Sequence, residues 1–338
     1  SRLFFIVQPE IANEFTPAIV LIMFHFMATP PLSLYIHIPW CVRKCPYCDF
    51  NSHEVREDIP EQAYLAALVA DLDQELPKVW GRTVETVFIG GGTPSLFSPD
   101  GIEQLLNAVR ARLPLKPDTE ITLEANPGTV DSERFRGFRE AGINRLSIGI
   151  QSFRPDQLRS LGRIHDDRQA IAAVESASTA GFDNINLDLM FGLPGQDIAA
   201  ALEDLQTAAG YQPAHLSWYE LTIEPNTWFY CHPPERPEDE LLWNMQQAGH
   251  ELLAGHGYSR YEVSAFTRDD RRCRHNLNYW TFGDYIGIGA GAHGKLTDAA
   301  AQSICRTAKI RHPRSYIEAL QAGQDPGVTT RLTASDVL

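Results

Sequence analysis

Six short apolar runs constrain this chain more than any other feature, because each gives way to a polar or glycine-rich stretch and then to a segment of helical periodicity. The runs lie at 32–39, 83–89, 119–123, 144–150, 184–189 and 215–221. The first helical segment opens at Asp58-Ile-Pro-Glu61, which has the form of a capping box, and sets Leu65, Leu68, Leu72 and Leu76 on one face. The second opens at Ser98-Pro99 with Ile102, Leu105, Leu106 and Val109 as its apolar positions. Others are expected over 131–141 ahead of Gly142, around Gln157, over 167–180 ahead of Gly181, and over 197–209. Strands alternating with helices pair in parallel, because each helical crossover returns the chain to the same end of the sheet. Six such units predict an α/β fold built as a partial barrel, with its site at the carboxyl-terminal mouth. A doubly wound open sheet is the alternative, with its site at one switch point.

Beyond Tyr230 the texture changes. Pro233-Pro-Glu-Arg-Pro237 is a turn-rich connector, followed by a helix over 238–254 and strands near 258–264 and 285–288. Residues 31–230 are therefore expected to form the core, and 231–338 a smaller accessory region packed on it. The glycine-rich segment 287–294 reads as a close-packed turn, since no helix pattern follows it. At the amino terminus, the apolar run 18–27 is too short to span a bilayer and lacks the flanks of an export signal. Met27-Ala-Thr-Pro-Pro has the look of a natural start, so residues 1–30, and 1–26 in particular, are expected to be non-native upstream sequence or a loosely packed extension. Residues 332–338 read as the opening of a further helix, which points to a truncated carboxyl terminus. Hydrophobic content of 43% and charged content of 21% suit a globular enzyme. A net charge of −14 argues against a nucleic-acid binder, which needs a basic footprint.

The chemistry concentrates in Cys41-Val-Arg-Lys-Cys45-Pro-Tyr-Cys48, directly after the first strand; Cys231, Cys273 and Cys305 stand apart. A thiolate-rich site selects zinc, copper(I) or iron–sulfur clusters. Zinc normally takes four protein ligands, often from two CxxC-like pairs, and no second pair follows here. Three thiolates with one vacant position suit an iron–sulfur cluster whose fourth iron binds something other than protein. A reduced structural cysteine cluster and a degenerate zinc site are the alternatives, and disulfides are disfavoured by the tight spacing. The CxxxCxxC spacing behind Tyr35-Ile-His-Ile-Pro-Trp40 resembles the signature of the radical S-adenosylmethionine (radical SAM) superfamily. That resemblance implies a [4Fe–4S] cluster on Cys41, Cys45 and Cys48, with the amino and carboxylate groups of SAM on the open iron. An oxygen-sensitive cluster without an export signal points to the cytoplasm.

Gly90-Gly91-Gly92-Thr93 follows the second strand, where a glycine run lets backbone N–H groups approach a polar ligand; it lacks the lysine of a phosphate loop. Glu124, Gln151 and Asp188 end the third, fourth and fifth strands, so a barrel gathers them at one rim. An ammonium and ribose hydroxyls need such acceptors, and Arg163 in Leu-Gly-Arg-Ile-His165 is a partner for a carboxylate. Taken singly, each also reads as a helix cap or a surface charge.

Over residues 31–325 the segments YIHIPWC, CPYC, FIGGGTPS, LEANP, IGIQSF, LGRIH and DLMFGLPGQ together resemble the oxygen-independent coproporphyrinogen oxidase group. The resemblance implies that Tyr35, Gly91 and Glu124 contact cluster-bound SAM. It further implies that Tyr47, Gly92, Thr93, Gln151, Arg163 and Asp188 face a second SAM or the substrate side. Decarboxylating members carry a further cysteine two residues after the third; here that position is Phe50. His275-Asn-Leu-Asn-Tyr279-Trp280 matches the HNxxYW motif of the HemW-type heme chaperone branch, which implies that His275 binds heme. Cys273 is a rival ligand, and packing of His275 in a turn beside core aromatics is the plainer alternative. The basic run from Arg268 to Arg274 reads either as a partner for porphyrin propionates or as an exposed charged loop. Cys231 and Cys305 read as inert thiols, and His37 as either buried structure or cavity lining. The branch implies a heme chaperone that uses [4Fe–4S], SAM and heme, delivers heme to respiratory proteins, and meets membranes only through those partners. A working oxidase and a structural iron–sulfur protein without SAM turnover are the rivals. The oligomeric state is left open.

Overall fold

The computed structural model describes residues 28–333; the amino-terminal stretch 1–26 and residues 334–338 of the expected last helix lie outside the described residues. The six apolar runs form β1 (Leu32–Ile38), β2 (Val84–Gly91), β3 (Leu115–Ala125), β4 (Arg145–Gln151), β5 (Ile185–Phe191) and β6 (His215–Glu220). Between them run α1 (Glu61–Glu75), α2 (Pro99–Arg110), α3 (Ser132–Ala141), α4 (Pro155–Ser160), α5 (Asp167–Thr179) and α6 (Ile198–Gly210). The six strands lie side by side in chain order, all parallel. A doubly wound sheet reverses its order at a switch point. This one does not, so the winding is that of a partial barrel.

After β6 come α7 (Trp228–Cys231), α8 (Asp239–Gly255), β7 (Ser259–Arg260), β8 (Ala265–Thr267) and α9 (Arg274–Trp280). Then follow β9 (Asp284–Ile288), β10 (His293–Asp298), β11 (Ser303–Lys309), α10 (Pro313–Gln321) and β12 (Gly327–Arg331). These late strands extend both edges of the barrel sheet. β9 pairs in parallel outside β1 and carries antiparallel β10, β11 and β12, while β8 and β7 add antiparallel strands beyond β6. The chain past residue 231 thus adds strands to both edges of the barrel sheet. Of the strand expected over 258–264 only Ser259–Arg260 forms, as β7; a turn closed by Tyr261 N–H donating to Ala265 O (3.1 Å) ends it, and β8 begins at Ala265. The glycine-rich segment 287–294 is the close-packed turn expected, since a Cβ on Gly287 would collide with the His293 carbonyl.

Local chemistry sets the helix ends. Ser98 caps α2 by accepting from Gly101 N–H, Asp131 caps α3, and α3 stops at Gly142 with φ of 109°. The capping box expected at Asp58–Glu61 does not form; Pro60 stands at the N-cap and no side chain bonds there. Glu61 instead accepts from Ser98 N–H (2.8 Å) and Ser98 Oγ, tying the start of α1 to that of α2.

Period-2 alternation divides the sheet into two faces. Leu34, Ile36, Val87, Ile89, Leu123, Leu146, Ile148, Leu187 and Leu216 are fully buried in the layer beneath the helices. Each such side chain contributes roughly 1.5–3 kcal/mol, so this outer layer carries the fold. The inner face carries Tyr35, His37, Phe88, Glu124, Arg145, Ser147, Asn186, Asp188 and His215, which leaves a polar lumen. Helix α9 closes the end where the strands begin: Arg274 Nη1 donates to Asp118 O (2.8 Å) and His275 N–H to Glu120 Oε1 (3.0 Å).

Candidate functional site

At the opposite end, β1 runs into the cysteine loop. Cys41 is buried, Cys45 and Cys48 are half-buried, and all are free thiols lining one cavity of about 460 Å³. Among the described residues no three His, Cys, Asp or Glu side chains converge on a single ion. Three thiols lining one cavity suit a thiolate-held iron–sulfur cluster. Burial pushes the Cys41 thiol up to about 11 and raises that of Cys48. Metal ligation therefore has to displace protons.

The loop is fastened from two sides. Lys44 Nζ donates to Phe50 O (3.1 Å), and Asn51 Nδ2 donates to Ala290 O (2.9 Å) and Arg311 O (2.8 Å). His37 Nε2 donates to Asn51 O (2.8 Å), which makes Nδ1 the acceptor from the Tyr35 hydroxyl (2.9 Å). His37 is thus a buried fastening of the loop, which resolves the choice its sequence left open.

The glycine run lies against this loop, but not for the reason its sequence suggests. Gly91 N–H donates to Glu124 Oε2 (2.9 Å), Gly92 N–H to Ile38 O (2.8 Å) and Thr93 N–H to Trp40 O (2.7 Å). The N–H groups expected to face a ligand are consumed by the protein. Glycine is required by crowding instead: a Cβ on Gly92 would lie 2.5 Å from Trp40 O, and one on Gly91, at φ of 118°, 2.5 Å from the His37 ring. Both glycines and Thr93 line the cysteine cavity.

The rim residues gather in that cavity as the barrel predicts. Burial, reinforced by Asp188, pushes Glu124 up to about 8 despite the Gly91 bond. Burial also raises Asp188, which accepts from Ser147 Oγ (2.9 Å) and Asn186 Nδ2 (2.8 Å). A bulge between Gly149 and Gln151, with Gln151 at φ of 68°, brings both residues to the cavity. Gln151 Oε1 accepts from the Tyr219 hydroxyl (2.7 Å). Arg163 Nη2 donates to Asn126 Oδ1 (2.6 Å) and Gly149 O (2.7 Å), and Nη1 lies 3.5 Å from Cys45 Sγ. Burial opposes its charge, but Tyr47 and Cys45 beside it raise its pKa above the ordinary value. Tyr47, raised by burial, lines the same cavity and packs against Phe229. Phe50 is 60% exposed at the cavity edge. Asn126 and Tyr219 are the residues sequence reasoning missed. Asn126 bridges Thr93 Oγ1 (2.8 Å) and Arg163, and its signal was its place in LEANP just past β3.

Tyr35 and His275 stand elsewhere. Both line a second lumen cavity of about 260 Å³, which shares Glu124, Ser147 and Asp188 with the first. His275 is 2% exposed and stacks on Phe88 at 5.0 Å. The Thr86 hydroxyl donates to Ser33 Oγ (2.8 Å), so it accepts from His275 Nδ1 (2.7 Å), and Nε2 accepts from the Tyr279 hydroxyl (3.0 Å). Burial, with Arg145 nearby, pushes His275 down to about 3. In this structure it offers no free nitrogen to an iron. Cys273 is buried as the cap of α9 and pushed up to about 11 by burial, so it is no open thiolate. The basic run is spent on neighbours: Arg271 pairs with Asp183, Arg272 with Asp270 and Arg274 with Asp118.

Residues 35–208 match the model of the Radical SAM superfamily. The chain is 55% identical over 289 residues to the heme chaperone HemW of Escherichia coli (strain K12), covering 86% of this chain and 76% of that protein. It is 36% identical over 294 residues to heme chaperone HemW of Bacillus subtilis (strain 168), covering 85% and 75%. Among solved structures it is similar to the coproporphyrinogen III oxidase (HemN) from Escherichia coli, a radical SAM enzyme, with TM-score 0.77 over 90% of this chain and 72% of that one. At 24% identity that likeness shows the fold alone.

Proposed function

The chain belongs to the radical SAM superfamily and, within it, to the HemW heme-chaperone family, and from that premise we propose that it binds heme and hands it to acceptor proteins. Its resident cofactors in this reading are a [4Fe–4S] cluster on Cys41, Cys45 and Cys48 and SAM in the cavity those residues line. When bound, the cluster supplies one electron for reductive cleavage of SAM. The chain's own part is to bind, orient and screen. Glu124 and Asp188 meet an ammonium and ribose hydroxyls, Arg163 a carboxylate, and Gly91, Gly92 and Thr93 form a wall close to the loop. Gln151 and Tyr47 complete the substrate side. The observation that carries the reading is the convergence of the three cysteines with Glu124, Gln151, Arg163 and Asp188 on one cavity.

Phe50 favours the chaperone over the oxidase, because it occupies the place of the further cysteine and has no thiol to offer. Respiratory proteins as acceptors, and a cytoplasmic setting, belong to the same proposal. Among the described residues no helix is long and apolar enough to cross a membrane. The division at residue 231 into core and accessory region is kept as a proposal about folding units. His275 serves as a heme ligand only if Tyr279 releases Nε2 and α9 moves.

The deciding experiment is anaerobic reconstitution followed, on one sample, by heme titration and a coproporphyrinogen assay. The expected outcome is stoichiometric heme binding with no protoporphyrinogen formed. Conversion of coproporphyrinogen would replace the chaperone with the oxidase.

A further inference from the structure

Toward α9 the barrel lumen holds the cavity of about 260 Å³ that Tyr35 and His275 line. Its polar side chains are committed to one another, with one exception. Ser147 and Asn186 donate to Asp188, and the Ser217 hydroxyl donates to Asn186 Oδ1 (3.0 Å). His215 bonds Asn186 (2.6 Å) and the Tyr261 hydroxyl (2.8 Å), while the Tyr35 hydroxyl is turned onto His37.

The exception is Arg145, on β4. Its side chain lines this cavity and is 2% exposed. Nε is buried without a partner, and among the described residues the guanidinium forms neither a hydrogen bond nor an ion pair. Three carboxyl groups act on it from a distance, and each has other work. Glu120 accepts from the first N–H groups of α9, at Arg274 (3.1 Å) and His275 (3.0 Å). Asp188 accepts at both of its oxygens, from Ser147 and Asn186. Glu124 accepts from Gly91 N–H, and burial, pushing it up to about 8, leaves it largely uncharged at neutral pH. Buried polar groups in proteins are ordinarily paired, and a guanidinium cannot shed its charge to escape the cost.

We propose that this end of the lumen is a carboxylate subsite, with Arg145 as its anchor. The planar guanidinium offers two parallel N–H groups, which match the two oxygens of a carboxylate. Tyr35 and Phe88 supply ring walls for an aliphatic stem. A phosphate dianion fits less well, because Glu124 and Asp188 share the space and meet its second negative charge. Sites for whole ligands run to about 300–1,000 Å³, so a cavity of about 260 Å³ takes a small group and no macrocycle. Glu124, Ser147 and Asp188 line both this cavity and the cysteine cavity. The carboxylate therefore belongs to a small free acid or to the side arm of a larger molecule seated in the cysteine cavity. Only the side-arm source rests on the heme-binding reading above.

The test is calorimetric titration of the reconstituted full chain with propionate and with inorganic phosphate at fixed ionic strength, in the wild type, Arg145→Met and Arg145→Lys. The expected result is saturable propionate binding by the wild type, with phosphate and Arg145→Met each weaker by about tenfold or more. Arg145→Lys, which keeps the charge without the fork, falls between. If Arg145→Met does not fold, the comparison is made with Arg145→Lys. Hemin and its dimethyl ester, titrated in the same detergent, separate the two sources. Loss of hemin affinity in the variants with the diester unaffected assigns the subsite to a side arm. Loss of propionate binding with hemin and diester both unaffected assigns it to a free acid. Propionate and hemin binding that are both indifferent to the substitutions, with only the melting temperature lowered, make Arg145 a frame residue and overturn the subsite. A wild type that binds propionate through Arg145 but no hemin supports the subsite and overturns the heme reading alone.

Discussion

Arg163 lies with Nη1 3.5 Å from Cys45 Sγ while its other arm holds Asn126 and Gly149, so one guanidinium spans the cysteine loop and the ends of β3 and β4. The two residues are 118 positions apart, and nothing in their spacing announces the contact. Arg163→Ala is expected to weaken SAM binding by about thirtyfold, the effect of losing a desolvated charged partner of about 2 kcal/mol. It is also expected to speed loss of iron to a chelator, because the loop loses a fastening. Arg163→Lys keeps the charge without the fork and should recover only part of either effect. Calorimetric titration and chelation kinetics on the same samples check this, and unaltered SAM affinity in Arg163→Ala would remove it from the site.

Glu124 yields a prediction about pH. Its carboxyl is pushed up to about 8 by burial in the lumen, far above the unfolded value of about 4.3. A group raised on folding adds stability below its unfolded pKa, and that stability drains away as pH rises through the folded one. The empty protein should therefore lose melting temperature relative to Glu124→Gln between about pH 6 and pH 8.5. An ammonium-bearing ligand works in the opposite sense, since it favours the carboxylate. SAM affinity in the wild type should rise over the same window and stay flat in Glu124→Gln. Parallel melting curves for the two proteins would contradict the assignment.

Much of this was readable from the chain because local rules and tertiary structure agree. Ser98, Asp131 and Gly142 end helices as their types dictate, and the rim residues follow from strand ends in a barrel. The failures share one cause. Glu61 had a local partner in the sequence but is claimed by Ser98, 37 residues away. The N–H groups of Gly91, Gly92 and Thr93 are taken by Glu124, Ile38 and Trp40 from neighbouring elements. Of the basic run left open between a propionate partner and a charged loop, Arg271 and Arg274 meet Asp183 and Asp118 only through the fold, whereas Arg272 pairs with Asp270 two positions back. Nothing periodic in the sequence records that a donor is already spoken for.

The crowding argument at the glycine run can be tested by contrast. Gly92→Ala places a methyl against the Trp40 carbonyl, a backbone atom that cannot swing aside, so the loop must shift. The expected cost is about 2 kcal/mol or more, with reduced cluster content after reconstitution. Gly210→Ala, at the end of α6, meets nothing within 4 Å and is expected to be neutral or to stabilise by about 0.5 kcal/mol. Equal melting temperatures for the two variants would show that the Gly92 contact is soft.

His275 separates a structural role from a ligand role. Its two ring nitrogens are satisfied by Thr86 and Tyr279, and its ring stacks on Phe88. His275→Ala therefore removes two buried hydrogen bonds and leaves a void, and is expected to cost about 2–4 kcal/mol of stability. Tyr279→Phe should cost less, about 1 kcal/mol, because the ring packing survives and only the donor to Nε2 is lost. If His275 belongs only to the frame of the barrel, neither variant alters the Soret band of protein that remains folded. If α9 opens to present His275, the two variants diverge: Tyr279→Phe frees Nε2 and tightens heme binding, while His275→Ala abolishes it. Chemical denaturation and hemin titration of both variants, read together, assign His275 to the frame of the barrel or to the iron.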